Sequence, residues 1–595
     1  MKRSVYVDLA TSSQYANPPG RRERTQATSH SSAGMDVLNS IGSFGWWQIN
    51  IIVWLAILQF FTTCVTIAVV FYQITPPHHC VVESGFPNDQ WTIQQKLNIS
   101  SPDRLSEGKI EFDACQHFQT DYSTLSANYE NAYNEMQQRN VSSLTKCTAW
   151  RYNRSIDMKE TAVTQFDLVC DNRFGVEYSQ TAYMLGFLAG ALLGGVVSDW
   201  VGRKPPIIIF IMLGSLAGVA LSFTYNLWTF IVVRFIVSVF INASLVCTYV
   251  IVLESINSKL RVWIGGLFFI PWAFGYTSTA LFAYLLNDWR WLHIAISAPS
   301  LIAALFIWLI PESPRWLLVN GQIEKARFEL QRAARMNGGL LPEYLDLAKI
   351  GLEAQQADRA SDETMLHLFR MSNGRFVYPR LVLRALNLFF NWFVNALVYY
   401  GVSLNVSSFA GDKFINNAIS GAVEIPAYIL CVPCLYWGRQ KSLLATLTIA
   451  GLSLLIVPWL PKSSDDEQSS LLQWLTFSCA MLGKMAITMS FALVYVLTTE
   501  VYPTVVRNSG LSASSCVGRI GSALAPYVSS IEKFDPRLRW LTLVIFGCCS
   551  LAAAALTLFL PETKGKKLPE FLEDATNLTV ERGNEPPQEM RACRY

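Results

Sequence analysis

Charge is what this chain has least of. Only 15% of its 595 residues are Asp, Glu, Lys or Arg, while 51% are hydrophobic, and soluble globular chains carry about 25% charged residues. That shortage excludes an ordinary water-soluble domain and calls for an apolar solvent. Net charge is scarce too: a formal +3 leaves no basic block to track a phosphate backbone, which excludes nucleic acid as a partner. The sequence has no glycine-rich phosphate loop, nucleotide-binding cassette or metal-ligand cluster, so it implies no cofactor, no metal and no direct use of ATP. Residues 1–34 are polar with scattered arginines and lack the apolar core of a secretory signal peptide. The chain is therefore expected to begin in the cytoplasm.

What the sequence does have is long apolar runs. About 20 apolar residues cross the hydrocarbon of a bilayer as a helix, and such runs fall near 50–73, 177–197, 205–224, 228–250, 262–286 and 291–310. Six more follow near 382–404, 415–437, 441–460, 471–497, 508–530 and 540–560. The expected fold is an all-α membrane protein of twelve transmembrane helices embedded in a lipid bilayer. Its expected parts are a cytoplasmic N-terminal segment (1–49), a first six-helix half (50–310) that includes a large loop (74–176), polar linker helices (311–380), a second half (381–560) and a cytoplasmic tail (561–595).

Short loops carrying Arg203 and Lys204, and Arg439 and Lys441, are positive, which places them and both chain ends on the cytoplasmic side. The loop 74–176 would then face outward. It carries Cys80, Cys115, Cys147 and Cys170 and glycosylation sequons at Asn98, Asn140 and Asn153, chemistry of an oxidising compartment. A plasma-membrane location is expected from this loop. Three further sequons, at Asn242 inside a span, Asn405 close to the membrane and Asn577 in the tail, are expected to be bare.

An internal repeat organises the chain. Glu254 precedes Arg261 by seven residues and Glu500 precedes Arg507 by seven, each after the fourth span of its half. Pro311-Glu312-Ser313 after the sixth span recurs as Pro561-Glu562-Thr563 after the twelfth, and Gly202-Arg203-Lys204 recurs as Gly438-Arg439-Gln440. Features repeating at equal rank describe two parallel six-helix halves with the substrate site between them.

The stretch Gly195-Val-Val-Ser-Asp199-Trp-Val-Gly202-Arg203-Lys204 resembles the loop signature of major facilitator transporters. Asp199 can pair with arginines and meet the positive N-terminus of a helix in the other half, so a cytoplasmic gate is expected from Asp199, Arg203, Glu254, Arg261, Arg439, Glu500 and Arg507. The matching position of the second half is Leu435, so the halves should gate unequally. Pro311-Glu-Ser-Pro-Arg315-Trp316, Gln165-Phe-Asp-Leu-Val-Cys170, Ala422-Val-Glu424-Ile-Pro426-Ala-Tyr428, Glu500-Val-Tyr-Pro503-Thr-Val-Val-Arg507 and Pro561-Glu-Thr-Lys-Gly together resemble the organic cation, anion and carnitine transporter family. Chains of that family usually begin at the position of Met35, which makes 1–34 an added segment. They usually carry six cysteines in the outer loop; the four here imply two disulfides, with three pairings open.

Charges at membrane depth default to function or to pairing. Glu424, Lys484 and Arg519 stand out, and the simplest structural reading pairs Glu424 with Lys484 or with Arg519. By resemblance, cation-selective members carry aspartate where this chain has Arg519, whereas anion and carnitine carriers have arginine. The Val494-Tyr495-Val496, Gly483-Lys484 and Ile425-Pro-Ala-Tyr428 stretches are similar to the carnitine branch. The expected activity is alternating-access transport of carnitine-like zwitterions or organic cations. An organic anion carrier, or a non-transporting receptor of the same fold, is the alternative. Trp392 and Tyr399 lie seven apart, on one helix face, and with Phe61 from the first half they are candidate partners for an ammonium. Thr62 and Thr63 offer oxygens, but the sequence identifies no coupling ion.

Overall fold

The computed structural model describes residues 38, 41, 44–82, 85–87, 90–106, 109–139, 141–153, 158–342, 345–360, 368–372, 375–406, 409, 411–460, 468–531, 538–566, 569, 572 and 575. Residues 1–34, Asn140 and Asn577 lie outside this set. The first half is built from α1 (Trp46–Ile67, continuing as Val69–Tyr72), α2 (Gly175–Val201), α3 (Lys204–Leu221), α4 (Leu227–Glu254), α5 (Ile270–Leu286) and α6 (Trp289–Phe306). The second consists of α7 (Pro379–Asn405), α8 (Lys413–Ala422, continuing as Glu424–Trp437), α9 (Arg439–Ile456), α10 (Gln468–Val501), α11 (Arg507–Ser529) and α12 (Arg539–Thr557).

Ten helices among the described residues are long and apolar enough to cross a membrane; α6 and α11 complete the bundle. α11 is rich in serine and glycine because its surface meets protein rather than lipid. It packs along α7 and α2, and Gly510, Ser514, Gly518, Gly521 and Ser522 are buried there. Small residues serve α2 in the same way. Gly186, Gly190 and Gly194 recur every fourth residue on one face, against α4, and a Cβ on Gly194 would lie 2.7 Å from the Ala243 carbonyl oxygen. Such spacing lets two backbones touch where no water-driven force holds helices together.

Each half has its own apolar core. Leu388, Trp392, Leu447, Leu493 and Phe546 anchor the second. In the first, Ile51, Leu55, Ile207 and Ile251 extend into the linker helices Pro314–Val319, Ile323–Met336 and Leu347–Ala360 through Leu317, Ala326 and Leu330. Asn337 ties that linker to the start of α1: its Oδ1 accepts from the Trp47 N–H at 3.0 Å and its Nδ2 donates to the Ile41 carbonyl at 3.0 Å.

The segment between α1 and α2 is a small folded unit. Antiparallel pairs join His78–Cys80 to Trp150–Tyr152, Asp103–Ser106 to Lys109–Phe112, and Gln116–Phe118 to Leu144–Lys146. Trp91, Ile99, Tyr122 and Met136 make its core. Disulfides Cys80–Cys147 and Cys115–Cys170 select one of the three pairings open in the sequence. Asn98 and Asn153 are exposed on this unit, while Asn242 is buried in α4.

Candidate functional site

Two copies of one ion network stand at the linker side of the bundle. In the first half Arg203 Nε donates to Glu254 at 3.1 Å, Nη2 lies 2.9 Å from the same carboxylate, and Nη1 reaches Asp199 at 2.6 Å. In the second, Arg439 Nε donates to Glu500 at 3.2 Å, and Nη1 takes the Leu435 carbonyl at 3.0 Å where Asp199 would stand. Glu312 and Glu562 complete the symmetry. Each carboxylate accepts the backbone N–H of the arginine, Arg203 and Arg439 respectively, at 2.9 Å, at the start of a helix whose N-terminal dipole favours negative charge. Gly202 and Gly438 adopt φ of +114° and +148°, and a side chain there would strike the Glu312 or Glu562 carboxylate at 2.7 or 2.6 Å. This explains why Gly-Arg and Pro-Glu recur together.

Asp199 remains on its own half, its side chain 77% exposed. Its carbonyl accepts from Trp316 Nε1 at 3.0 Å. Arg507 turns to the Tyr502 carbonyl at 3.4 Å and makes no ion pair with Glu500 among the described residues. The Arg261 side chain lies outside the described residues.

Two of the three membrane-depth charges, Glu424 on α8 and Lys484 on α10, meet against α7. Trp392, Tyr399 and Ser403 project from one face of α7; Tyr495, Phe491 and Lys484 project from one face of α10 at the same seven- and eleven-residue spacings. The helices pair these faces in reverse order. The Trp392 and Tyr495 rings are 4.3 Å apart, Tyr399 stacks on Phe491 at 5.8 Å, and Lys484 donates to Ser403. Lys484 Nζ also lies 3.7 Å from the Tyr399 ring centroid, 5.3 Å from that of Tyr276, and 3.0 Å from Glu424 Oε1. Glu424 and Lys484 are wholly buried. Of the two pairings open in the sequence, the structure adopts Glu424 with Lys484.

Arg519 is left as a cation without a carboxylate. No ion pair joins it to an acidic residue among the described residues. Its guanidinium sits 5.1 Å over the Phe187 ring of the first half and 3.5 Å from the Tyr400 hydroxyl, and its Nε has no hydrogen-bond partner among the described residues. Arg519, Phe491, Tyr495 and Phe269 are partly exposed at mid-helix positions where the two halves face each other. Phe61 is half-buried and packs on Phe60 at 5.1 Å. Thr62 and Thr63 give their hydroxyls to the Gln59 carbonyl. Phe269, which stacks on Tyr428 at 5.7 Å, Trp272, which donates to the Tyr399 hydroxyl at 3.0 Å, and Phe491 join the site although sequence reasoning did not single them out. The register counted from Lys484 would have found Phe491.

At the loop-unit side the halves are sealed. Ser530 donates to Glu177, Thr181 Oγ1 to the Ala523 carbonyl at 3.2 Å, and Tyr276 and Ser420 share a hydrogen bond of 3.1 Å. At the linker side, the exposed Trp263 donates to Tyr436 at 3.0 Å.

Two six-helix halves that meet at a charged, aromatic-rich seam have the architecture of a major facilitator transporter. The fold agrees with the inward-open xylose transporter XylE from E. coli, at a TM-score of 0.52 and 18% identity over 70% of this chain and 93% of that one. Residues 127–575 match the family described as sugar (and other) transporter. An organic cation transporter protein of Drosophila melanogaster is 35% identical over 559 residues, covering 93% of this chain and 96% of the relative. Human organic cation/carnitine transporter 2 is 30% identical over 535 residues, 88% and 90% of the two chains. The chain belongs to the sugar (and other) transporter family of the major facilitator superfamily, in the group of organic cation and carnitine transporters. It is a multi-pass membrane transporter, not an enzyme.

Proposed function

We propose that this chain moves organic cations and carnitine-like zwitterions by alternating access, with Arg519 holding a substrate carboxylate. One observation carries the reading: Arg519 is a partly exposed cation at membrane depth with no carboxylate partner among the described residues. A guanidinium presents a planar fork matched to a carboxylate. Phe491 and Tyr495 supply the aromatic wall with the buried Trp392 and Tyr399 behind them, and Phe61 is the candidate aromatic of the first half. Glu424 is the counter-charge for an ammonium. The names of the relatives support the same substrate class.

In this reading the loop 74–176 is extracellular, the linker and both chain ends are cytoplasmic, and the protein works at the plasma membrane. The sealed loop-unit side then makes the present state inward-facing. Asp199, free of the other half here, would engage it when the cytoplasmic side closes, while Arg203, Glu254, Arg261, Arg439, Glu500 and Arg507 hold the two gate halves.

Purified protein in proteoliposomes tests this. Carnitine trapped inside should accelerate saturable entry of labelled carnitine, and tetraethylammonium should enter as well. A receptor would move neither, a channel would show no acceleration by internal substrate, and entry of organic anions alone would overturn the proposal.

A further inference from the structure

Glu424, Tyr399, Ser403 and Tyr276 form a site whose chemistry is that of an ammonium receptor. A carboxylate supplies the opposite charge, two rings present π-faces and a hydroxyl offers an acceptor. In this structure a side chain of the protein itself fills it. The Lys484 ammonium lies 3.7 Å from one ring centroid, 5.3 Å from the other and 3.0 Å from the carboxylate, and it donates to the hydroxyl. The ammonium and the Glu424 carboxylate form a close, wholly buried ion pair. Lys484 is thus held by the Glu424 charge, by the Ser403 hydroxyl and by the Tyr399 face, at the end of a flexible four-carbon stem.

We propose that Lys484 is a tethered stand-in for the substrate's ammonium, and that a cationic substrate enters the Glu424 subsite by displacing it. This rests on the reading of the cavity as an organic-cation site. Exchange of one ammonium for another keeps Glu424 neutralised throughout, which matters because a lone buried carboxylate is strongly unfavourable. The same exchange selects substrates. A neutral or purely anionic solute brings nothing to replace Lys484 and leaves the subsite shut, whereas a cation opens it. Phe491, stacked on Tyr399, and Tyr400, 5.1 Å from Tyr399, connect this subsite to the cavity beside Arg519.

Tetraethylammonium is the probe, because it has no carboxylate for Arg519 and no N–H for Ser403. Uptake is measured in proteoliposomes as a half-saturation concentration. Lys484→Met, which keeps length but removes the competing charge, should lower it about tenfold or more, and the gain should vanish in Lys484→Met with Glu424→Gln. Ser403→Ala leaves every charge in place and removes only the tether. It should lower the half-saturation concentration several-fold, and it keeps the test open if an unpaired Glu424 prevents Lys484→Met from folding. An unchanged or raised half-saturation concentration in Ser403→Ala, or in a folded Lys484→Met, would overturn the proposal and make Lys484 a structural partner of Glu424. Failure of the unmodified protein to take up tetraethylammonium while still exchanging carnitine would refute the inference and leave Arg519 as carboxylate anchor standing.

Discussion

Gly421 sits where α8 crosses α5 toward the loop-unit side of the bundle. A Cβ built there lies 2.6 Å from the Thr277 backbone nitrogen and 3.0 Å from its Cα. Backbone has no rotamer with which to retreat, and carbon contacts are comfortable only near about 3.5 Å or beyond, so Gly421→Ala must part the two helices by roughly 1 Å. Overpacking of this kind costs about 1–3 kcal/mol, and it falls only on the state in which this side is closed. The balance between inward- and outward-facing forms should therefore move outward by about 5- to 150-fold, at 1.4 kcal/mol per factor of ten. The readout is the labelling of a cysteine at Thr181, which lies in the same seal, by a membrane-impermeant maleimide. Thr181→Cys with Gly421→Ala should label several-fold faster than Thr181→Cys alone, with transport slowed at equal surface expression. Equal labelling rates would mean that this crossing is not part of the gate.

Glu312→Gln and Glu562→Gln each remove a charge that caps a helix start, so each should lower the stability of the purified protein by about 1 kcal/mol, read as a fall in thermal midpoint; no shift in either would deny the capping role. Asp199→Ala should reach the surface yet transport more slowly, and unchanged transport would reduce Asp199 to a membrane-surface anchor. Removing Asn98, Asn140 and Asn153 together should abolish the mobility gain on glycosidase treatment, and a persistent gain would contradict the outward placement of the loop. Burial holds His78 and His79 below the usual histidine range, so the unfolded loop binds more protons near pH 6.5 and the loop unit should lose stability as pH falls through that value. Protease resistance that is flat between pH 7.5 and 5.5 would contradict this.

The bundle was legible because crossing hydrocarbon demands long apolar runs, and ten of the helices meet that demand on their own. α11 is harder to read, since its serines and glycines answer to α2 and α7 rather than to lipid. The repeats of Gly-Arg and Pro-Glu were visible in the sequence, but the reason for them was not: Glu312 meets Arg203 across 109 residues and Glu562 meets Arg439 across 123. Disulfide pairing was open for a similar reason, being set by which strands of the loop unit lie side by side. At the site, Trp392 and Tyr399 share a face by counting along one helix. Whether Glu424 would choose Lys484 or Arg519 depends on how α8, α10 and α11 are rotated, which no single periodicity fixes.

The central claim is that Arg519 selects the carboxylate, and uptake of carnitine and of tetraethylammonium by Arg519→Lys, Arg519→Ala and Arg519→Asp at matched surface expression tests it most directly. A forked contact to a carboxylate in a partly desolvated cavity is worth about 1.5–3 kcal/mol, so carnitine uptake should fall roughly tenfold or more. Arg519→Lys, which keeps charge but not the fork, should be poor with carnitine, and Arg519→Ala should be nearly inactive. Tetraethylammonium should be spared or favoured as positive charge leaves the cavity, most of all in Arg519→Asp. A parallel fall of both substrates across the three variants would make Arg519 a structural residue and contradict the account.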